Sequence, residues 1–523
     1  MQYSNFYKSL AGVVMITGTV FLACNKQLDK TDPSHPTLET FFKNSAELVG
    51  GTNAIYSIFH SGSLVGREWF FVHDLRSDDV ASGGSQLEQP RGQILNGATA
   101  TDNTLVKDVW NGLYTIVHRA NTVIDNGPNV TDNTELRDRC VGEAKFFRAW
   151  AYFELVTNWG AVPIYTTQVT APDQFQPRRS EEEVYTQIIT DLTDAITALP
   201  ATTDDQGRAT KGAAHALLGR VHMQKGDYAA AKTALQAVIS SGLYSLVPNY
   251  TYNFDEEHEF NAESILEAVF FDRGDNNFNW GYTGDDQPNA QPQSTVRNQE
   301  YSPIAWRNLI PSNRYLNEFE FQDAAAGIPK TDPRFGMSVY QTGDKYFNNT
   351  LTLTDAAQNG NASVVNGVTK KISWRKYMLI YKDNSTFHPG GINQRIIRYA
   401  DVLLMMAECE TELGSAAAVV TGYLNQVRDR PGVEMPHYPT AKYPCNSKAE
   451  LIRAIMHERT VELGDEEVRN RDILRWRRKG YFTTDPLSYF RPDRDELLPI
   501  PQSEIDNNPE LGAGGINKQN PGY

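Results

Sequence analysis

The chain has 523 residues, 40% of them hydrophobic, and a formal net charge of −15. That length suffices to bury a large core, and moderate apolar content without a long run of like charge describes a globular chain rather than a disordered one. The acidity argues against a nucleic-acid partner, which needs a basic stripe, and otherwise serves solubility.

In chain order the first element is an apolar run from Leu10 to Ala23, ending at Cys24 and preceded by Tyr3, Asn5 and Lys8. It is too short to cross a bilayer as a helix, which takes about 20 apolar residues. Its length and flanks fit the core of a secretory signal. Phe21-Leu22-Ala23-Cys24 resembles the lipobox of bacterial lipoproteins, with Phe21 where Leu is commoner. The resemblance implies a signal peptide over residues 1–23, lipid on Cys24, and everything beyond it outside the cytoplasm. Residues 24–36 are polar, carry two prolines and read as a linker. No later apolar segment approaches membrane-spanning length.

Helical periodicity then dominates, in blocks. Leu38 to Phe59 is the first, followed by a Gly/Ser/Asn-rich loop from about Ser77 to Asn103. Thr104 to Ile124 places Val106, Val109, Trp110, Leu113, Tyr114 and Val117 at helical spacing, and Glu135 to Thr157 does the same with Phe146, Phe147, Trp150 and Phe153. Trp159-Gly160-Ala161-Val162-Pro163 turns the chain into extended structure. Ser180 with Glu183 predicts a capping box opening a helix that stops at Pro200. Lys211 to Leu243 reads as two antiparallel helices broken at Lys225-Gly226-Asp227, with small and large residues placed as in a tetratricopeptide pair. A second such pair begins at Arg398 and breaks at Gly414. The pairs are far apart in sequence, which implies a helical scaffold with inserted loops rather than a simple solenoid. Two irregular stretches, about Phe271 to Ile310 and Tyr340 to Gly391, are long enough to suggest function.

Four cysteines are present. With Cys24 lipidated, Cys140, Cys409 and Cys445 form an odd, widely spaced set without a C-x-x-C pair, so neither a zinc site nor a thioredoxin-like motif is indicated. Cys140 and Cys409 fall in helical patterns and read as small buried hydrophobes; a disulfide through Cys445 stays open.

Taken together, the motifs resemble the SusD/RagB family of outer-membrane lipoproteins of Bacteroidetes. The likeness is carried by Val109-Trp110 through Ala120-Asn121, Gly142-Glu143-Ala144-Lys145-Phe146-Phe147-Arg148-Ala149, Ala209-Thr210-Lys211-Gly212-Ala213-Ala214 and Arg398-Tyr399-Ala400-Asp401. It continues through Glu458-Arg459, Arg471-Asp472-Ile473-Leu474-Arg475-Trp476 and Leu498-Pro499-Ile500-Pro501 to the terminal Gln519-Asn520-Pro521-Gly522-Tyr523. The resemblance implies a mainly α fold: a tetratricopeptide-like helix-pair scaffold with long, irregular, ligand-binding loop insertions. A helical region over 37–270 and a second region over 271–523, with an aromatic loop insert, would form one compact unit. It further implies a non-catalytic, cell-surface glycan-binding protein that passes oligosaccharide to a TonB-dependent outer-membrane barrel. The same architecture importing peptides or another nutrient is the alternative, and a glycoside-acting enzyme ranks below both.

Among the motif residues, Arg398, Asp401, Glu408, Glu458, Arg459, Arg471, Asp472 and Arg475 read as structural ion pairs at i,i+3 and i,i+4 helix spacing. Candidate ligand residues lie elsewhere. Sugars offer C–H faces that stack on aromatic rings and hydroxyls that need amide, carboxylate and guanidinium partners. Asn276 to Trp306 interleaves both types, with Trp280, Tyr282 and Trp306 as platforms. By the resemblance, the loop after the first helical block contributes too, with Asp78, Asp79, Gln86, Gln89, Arg91 and Asn96, and Trp69 nearby. Asp78-Asp79 and Asp285-Asp286 are adjacent acids, which in extended chain point to opposite faces, unlike the facing carboxylates of a glycosidase. No nucleophile elbow, zinc helix or P-loop is present. His215 and His222 lack metal spacing, and no cofactor is expected, although loop carboxylates are compatible with a structural calcium ion.

Overall fold

The structure, a computed structural model, describes residues 41–171, 173–272, 294–386, 389–511 and 514–523. Cys24, the signal and the linker lie outside them. The chain opens with α1 (Ser45–Phe59), α2 (Glu68–Asp74), α3 (Gln89–Leu95), α4 (Thr104–Asn126) and α5 (Thr134–Trp159). Side chains of Asn44, Asn103 and Asn133 cap α1, α4 and α5 by accepting from backbone N–H groups of the first turn. α5 is the central element. From Phe146 to its end every residue is buried, and Gly160, at φ 71°, turns the chain out of it. Around it Tyr56 and Phe147, Phe59 and Trp150, and Trp110 and Trp159 meet edge to face at 4.6, 4.9 and 5.3 Å. The supposed loop of residues 77–103 holds α3 and a short strand, and α2 precedes it.

The capping box forms as expected, Ser180 and Glu183 each bonding the other's backbone at the start of α6 (Glu181–Ala198). α7 (Lys211–Lys225) and α8 (Tyr228–Ser240) are the first helix pair, broken at the left-handed Gly226. Gly219 lets them close: a Cβ there would sit 2.5 Å from a methyl of Leu235. Next come short α9 (Arg297–Tyr301), α10 (Asn313–Glu318) and α11 (Arg334–Ser338), then the second pair, α12 (Tyr399–Glu412) and α13 (Ala417–Arg428). The chain closes with α14 (Lys448–Leu463), α15 (Arg469–Arg478) and α16 (Gln502–Asn507). Leu403, Leu404 and Ala407 of α12, Leu424 and Val427 of α13, and Ile452 and Ile455 of α14 share a core of their own. α12 packs on α8, so two pairs far apart in sequence stack into one succession from α4 to α14.

The strands pair only in twos, all antiparallel: β1 (Val80–Ser82) with β5 (Leu309–Pro311), β2 (Val162–Pro163) with β3 (Arg178–Arg179), β4 (Ser264–Ala268) with β12 (Gln394–Arg398), β6 (Val339–Gln341) with β11 (Ile372–Trp374), β7 (Lys345–Tyr346) with β8 (Leu351–Thr352), and β9 (Ser363–Val365) with β10 (Val368–Lys370). The β4–β12 ladder is a neck. It brings residue 268 beside residue 394, so the long insertion between them leaves and rejoins the helical stack at one place.

The charged motif residues are structural in position, but the expected helix spacing accounts for little of it. Only Arg475–Asp472 at 3.0 Å is an i,i+3 pair among them. The rest reach across elements: Arg398 to Glu263 and Glu462, Arg459 to Asp401, Arg475 to Glu408, Arg471 to Glu154, all within 2.9 Å. Burial makes an unpaired charge so costly that each guanidinium takes a carboxylate from whichever element faces it. Cys140, Cys409 and Cys445 are buried free thiols, so among the described residues no disulfide forms through Cys445.

Candidate functional site

Beyond the neck, three loops converge on Trp306. Gly83 N–H donates to Asn308 O at 2.9 Å, and Gly83 O accepts from Asn361 N–H at 2.7 Å. The Gln86 amide donates to Trp306 O and Arg307 O at 3.2 and 3.0 Å, and the Asn361 amide to Ser82 O at 3.1 Å. Arg307 holds the assembly from beneath. It is fully buried at φ 51° and donates to Ser373 Oγ and to the carbonyls of Asn359, Asn361 and Ile372 at 2.5–2.8 Å. Burial pushes its guanidinium down to about 10, so it stays charged at neutral pH while its charge is spread over carbonyl dipoles. Trp306 is half-buried on top of this platform.

Two glycines set the closeness of the loops. A Cβ on Gly83 would lie 1.7 Å from Arg307 O, and one on Gly360, at φ 75°, 1.9 Å from Gly83 O. Gly360→Ala is therefore expected to cost about 1–3 kcal/mol of local strain and to break the Asn361–Gly83 hydrogen bond, seen as faster amide exchange at Asn361 with α5 unaffected.

The aromatic insert joins this surface at its ends. Residue 272 and Gly391 lie against each other, and Thr295 pairs with Gly390. From there α9 leads to Trp306, whose backbone N–H donates to Gln299 O at 3.1 Å. Trp280 and Tyr282, with Asp285 and Asp286, fall outside the described residues. Phe271, at the insert's near end, is 65% exposed, an aromatic that the sequence reading did not single out.

Four other candidates are corrected by their burial. Trp69 is a core residue, its ring 4.9 Å from His73 and 6.3 Å from Trp150. Asp78 is clamped by Arg469 at 2.7 and 3.0 Å and by Arg314 at 2.8 Å. Burial works against its ionisation, yet the two guanidiniums hold its carboxyl below the usual range, whereas burial pushes neighbouring Asp79 up. Arg91 is buried over the Phe71 ring and pairs with Glu68 at 2.8 Å. Together with Arg67, which reaches Glu300 at 2.6 Å, this polar layer ties α2, α3 and α9 together. Burial pushes Glu68 up to about 7 although Arg91 and Arg67 pull the other way. All four side chains are buried. Asn96 is exposed at the end of α3, its amide bonded to Gly92 O, and Gln86 and Gln89 are exposed. His215 and His222 are half-buried on α7. Among the described residues no group of three or more His, Cys, Asp or Glu is placed to hold a metal ion.

The surface is thus an aromatic ring and side-chain amides on a hydrogen-bonded base. The comparisons with known proteins agree in family. A model described as the SusD family matches residues 262–523, and one described as starch-binding, associating with the outer membrane, matches residues 66–223. The chain belongs to the SusD/RagB family. A SusD-like protein of Formosa agariphila is 26% identical, over 94% of this chain and 95% of its own. A SusD superfamily protein of Bacteroides vulgatus, 23% identical, superposes with a TM-score of 0.75 over 92% of this chain and 100% of that one, which establishes the fold. A structure described as a laminarin-binding SusD-like protein, 26% identical, has a TM-score of 0.71 over 92% of this chain and 100% of its own. Among the described residues no helix is long and apolar enough to cross a membrane.

Proposed function

We propose that this SusD-like chain binds an oligosaccharide at the Trp306 surface, without turning it over, and hands it to a TonB-dependent outer-membrane barrel. The observation that carries the reading is the Trp306 platform. A ring stacks on the C–H face of a sugar, the amide oxygen of exposed Gln86 accepts from its hydroxyls, and the buried Arg307 staple lowers the entropy cost of ordering the loops on binding. The family and the laminarin-binding relative support glycan as the cargo class. Lipid on Cys24 would hold the protein at the outer membrane, facing the cell exterior, and the polar linker would let it move over its partner.

The test is affinity electrophoresis and calorimetry against a polysaccharide panel beginning with laminarin, with product analysis alongside. Retardation without products is expected. Trp306→Ala should weaken binding about tenfold, with melting curves confirming that the variant folds. Unaltered affinity would remove Trp306 from the site, products would overturn the non-catalytic reading, and enrichment of peptide with no glycan shift would change the cargo.

A further inference from the structure

A second pocket lies on α4, where the C-terminal helix α16 and the loop after β2 meet it. Its volume is about 220 Å³. Tyr114 and Tyr165 form two walls, their rings perpendicular at 87° with centroids 6.1 Å apart, and Trp110 lies 4.9 Å from Tyr114 as the floor. Both tyrosines are half-buried, so part of each ring faces the opening.

Three of the pocket's neutral polar side chains are already engaged, and the His118 imidazole lines it beside them. Tyr114 donates to Pro163 O at 2.8 Å. The Asn121 amide donates to Tyr165 O and Thr167 O, and its oxygen accepts from Arg148. The Asn508 amide donates to Gln176 O, and its oxygen accepts from Glu510 N–H. Glu504 is different. Its carboxylate meets the Trp110 indole N–H, no cation among the described residues sets its charge, and burial pushes its pKa up. It lines the same pocket as Tyr114 and Tyr165.

We propose that this pocket receives a single alkylammonium or guanidinium group. A corner of perpendicular aromatic faces attracts a cation through the ring quadrupoles, and an uncompensated, half-desolvated carboxylate is stabilised by a positive partner. Burial and Arg119 lower the pKa of His118, so at neutral pH the charged group lining the pocket is the Glu504 carboxylate, which a cation matches. The site is separate from the Trp306 surface and does not depend on the glycan reading. The group arrives either as a free amine or as a lysine or arginine side chain of a docking protein.

The experiment titrates the full chain with choline, with Nα-acetyl-lysine methylamide, with a short lysine- and arginine-bearing peptide, and with glucose, observed by ligand NMR line broadening. The cations are expected to bind and glucose not to. Glu504→Gln, which keeps shape and removes charge, should weaken binding about tenfold or more, and Tyr165→Leu likewise, with melting curves confirming that each variant folds. Preference for the peptide would identify a protein side chain as the source, and preference for choline a free amine. No binding by any cation, binding indifferent to both substitutions, or equal binding of glucose would each overturn the proposal.

Discussion

Replacing Glu462 with alanine is expected to destabilise the protein by about 3–5 kcal/mol. Glu462 lies on α14, fully buried, and accepts from Arg398 at 2.8 Å, Arg430 at 2.9 Å and Arg334 at 3.0 Å. Burial opposes its charge, but the three guanidiniums overcome that and hold its carboxyl far below the usual range. Without it, Arg430 is left sharing the carboxylate of Glu263 with Arg398, at 2.6 Å from each. A buried guanidinium cannot shed its proton to escape, so the part of the desolvation cost that Glu462 offset falls on the folded state. Because Arg398 ends the β4–β12 neck, the insertion bearing Trp306 would loosen with the core. Denaturant unfolding checks this against Glu257→Ala. Glu257 pairs with Lys382 at 2.8 Å but is about half exposed, and a solvated pair is worth only about 0–1 kcal/mol. Equal costs for the two variants would refute the idea that the buried network carries the stability.

The contrast between these two glutamates also explains what the sequence discloses. Helix pairs are legible because their information is local: Gly226 and Gly414 mark the breaks, and small residues such as Gly219 mark close faces. The capping box at Ser180 is legible for the same reason. The neck is not, since Arg398 finds Glu263 across 135 positions, and a pattern read over one helix turn assigns it the wrong partners. The same limit governs the site. Asp78 and Arg91 sit in a polar, Gly- and Ser-rich stretch and look solvated, yet Asp78 meets Arg469 391 residues away. Trp306 is legible as an aromatic among amides. Arg307 beside it is not, because its role depends on a left-handed backbone and on carbonyls from the 359–361 loop and β11, brought there only by the fold. The one local hint is the Asn359-Gly360-Asn361 turn, whose glycine makes the approach to Gly83 feasible.

The second large effect expected is pH-dependent. His457→Gln should cost about 1–3 kcal/mol near pH 5.5, and the deficit should shrink on both sides of that pH. His457 is fully buried on α14, its Nδ1 2.9 Å from Glu318 and its Nε2 3.4 Å from Glu320, with Tyr443 stacked 4.5 Å away. Burial lowers the affinity of its ring for a proton, but the two carboxylates win and raise its pKa above 6.5. Burial likewise opposes ionisation of the glutamates, while the imidazolium, helped by Arg428 on Glu320 and Arg314 on Glu318, drives both down to about 2. The histidine's contribution is complete below its unfolded value of about 6.5 and is lost as pH rises through the higher folded value. The glutamates' contribution is complete above about 4.5, their unfolded value, and is lost as pH falls toward 2. The two windows overlap between about pH 4.5 and 6.5, so the wild-type advantage over His457→Gln should peak there. Unfolding free energies of both proteins across pH 3–9 give the curve directly. A deficit independent of pH would mean that His457 packs against Tyr443 as a neutral ring and that the charge on it does no structural work.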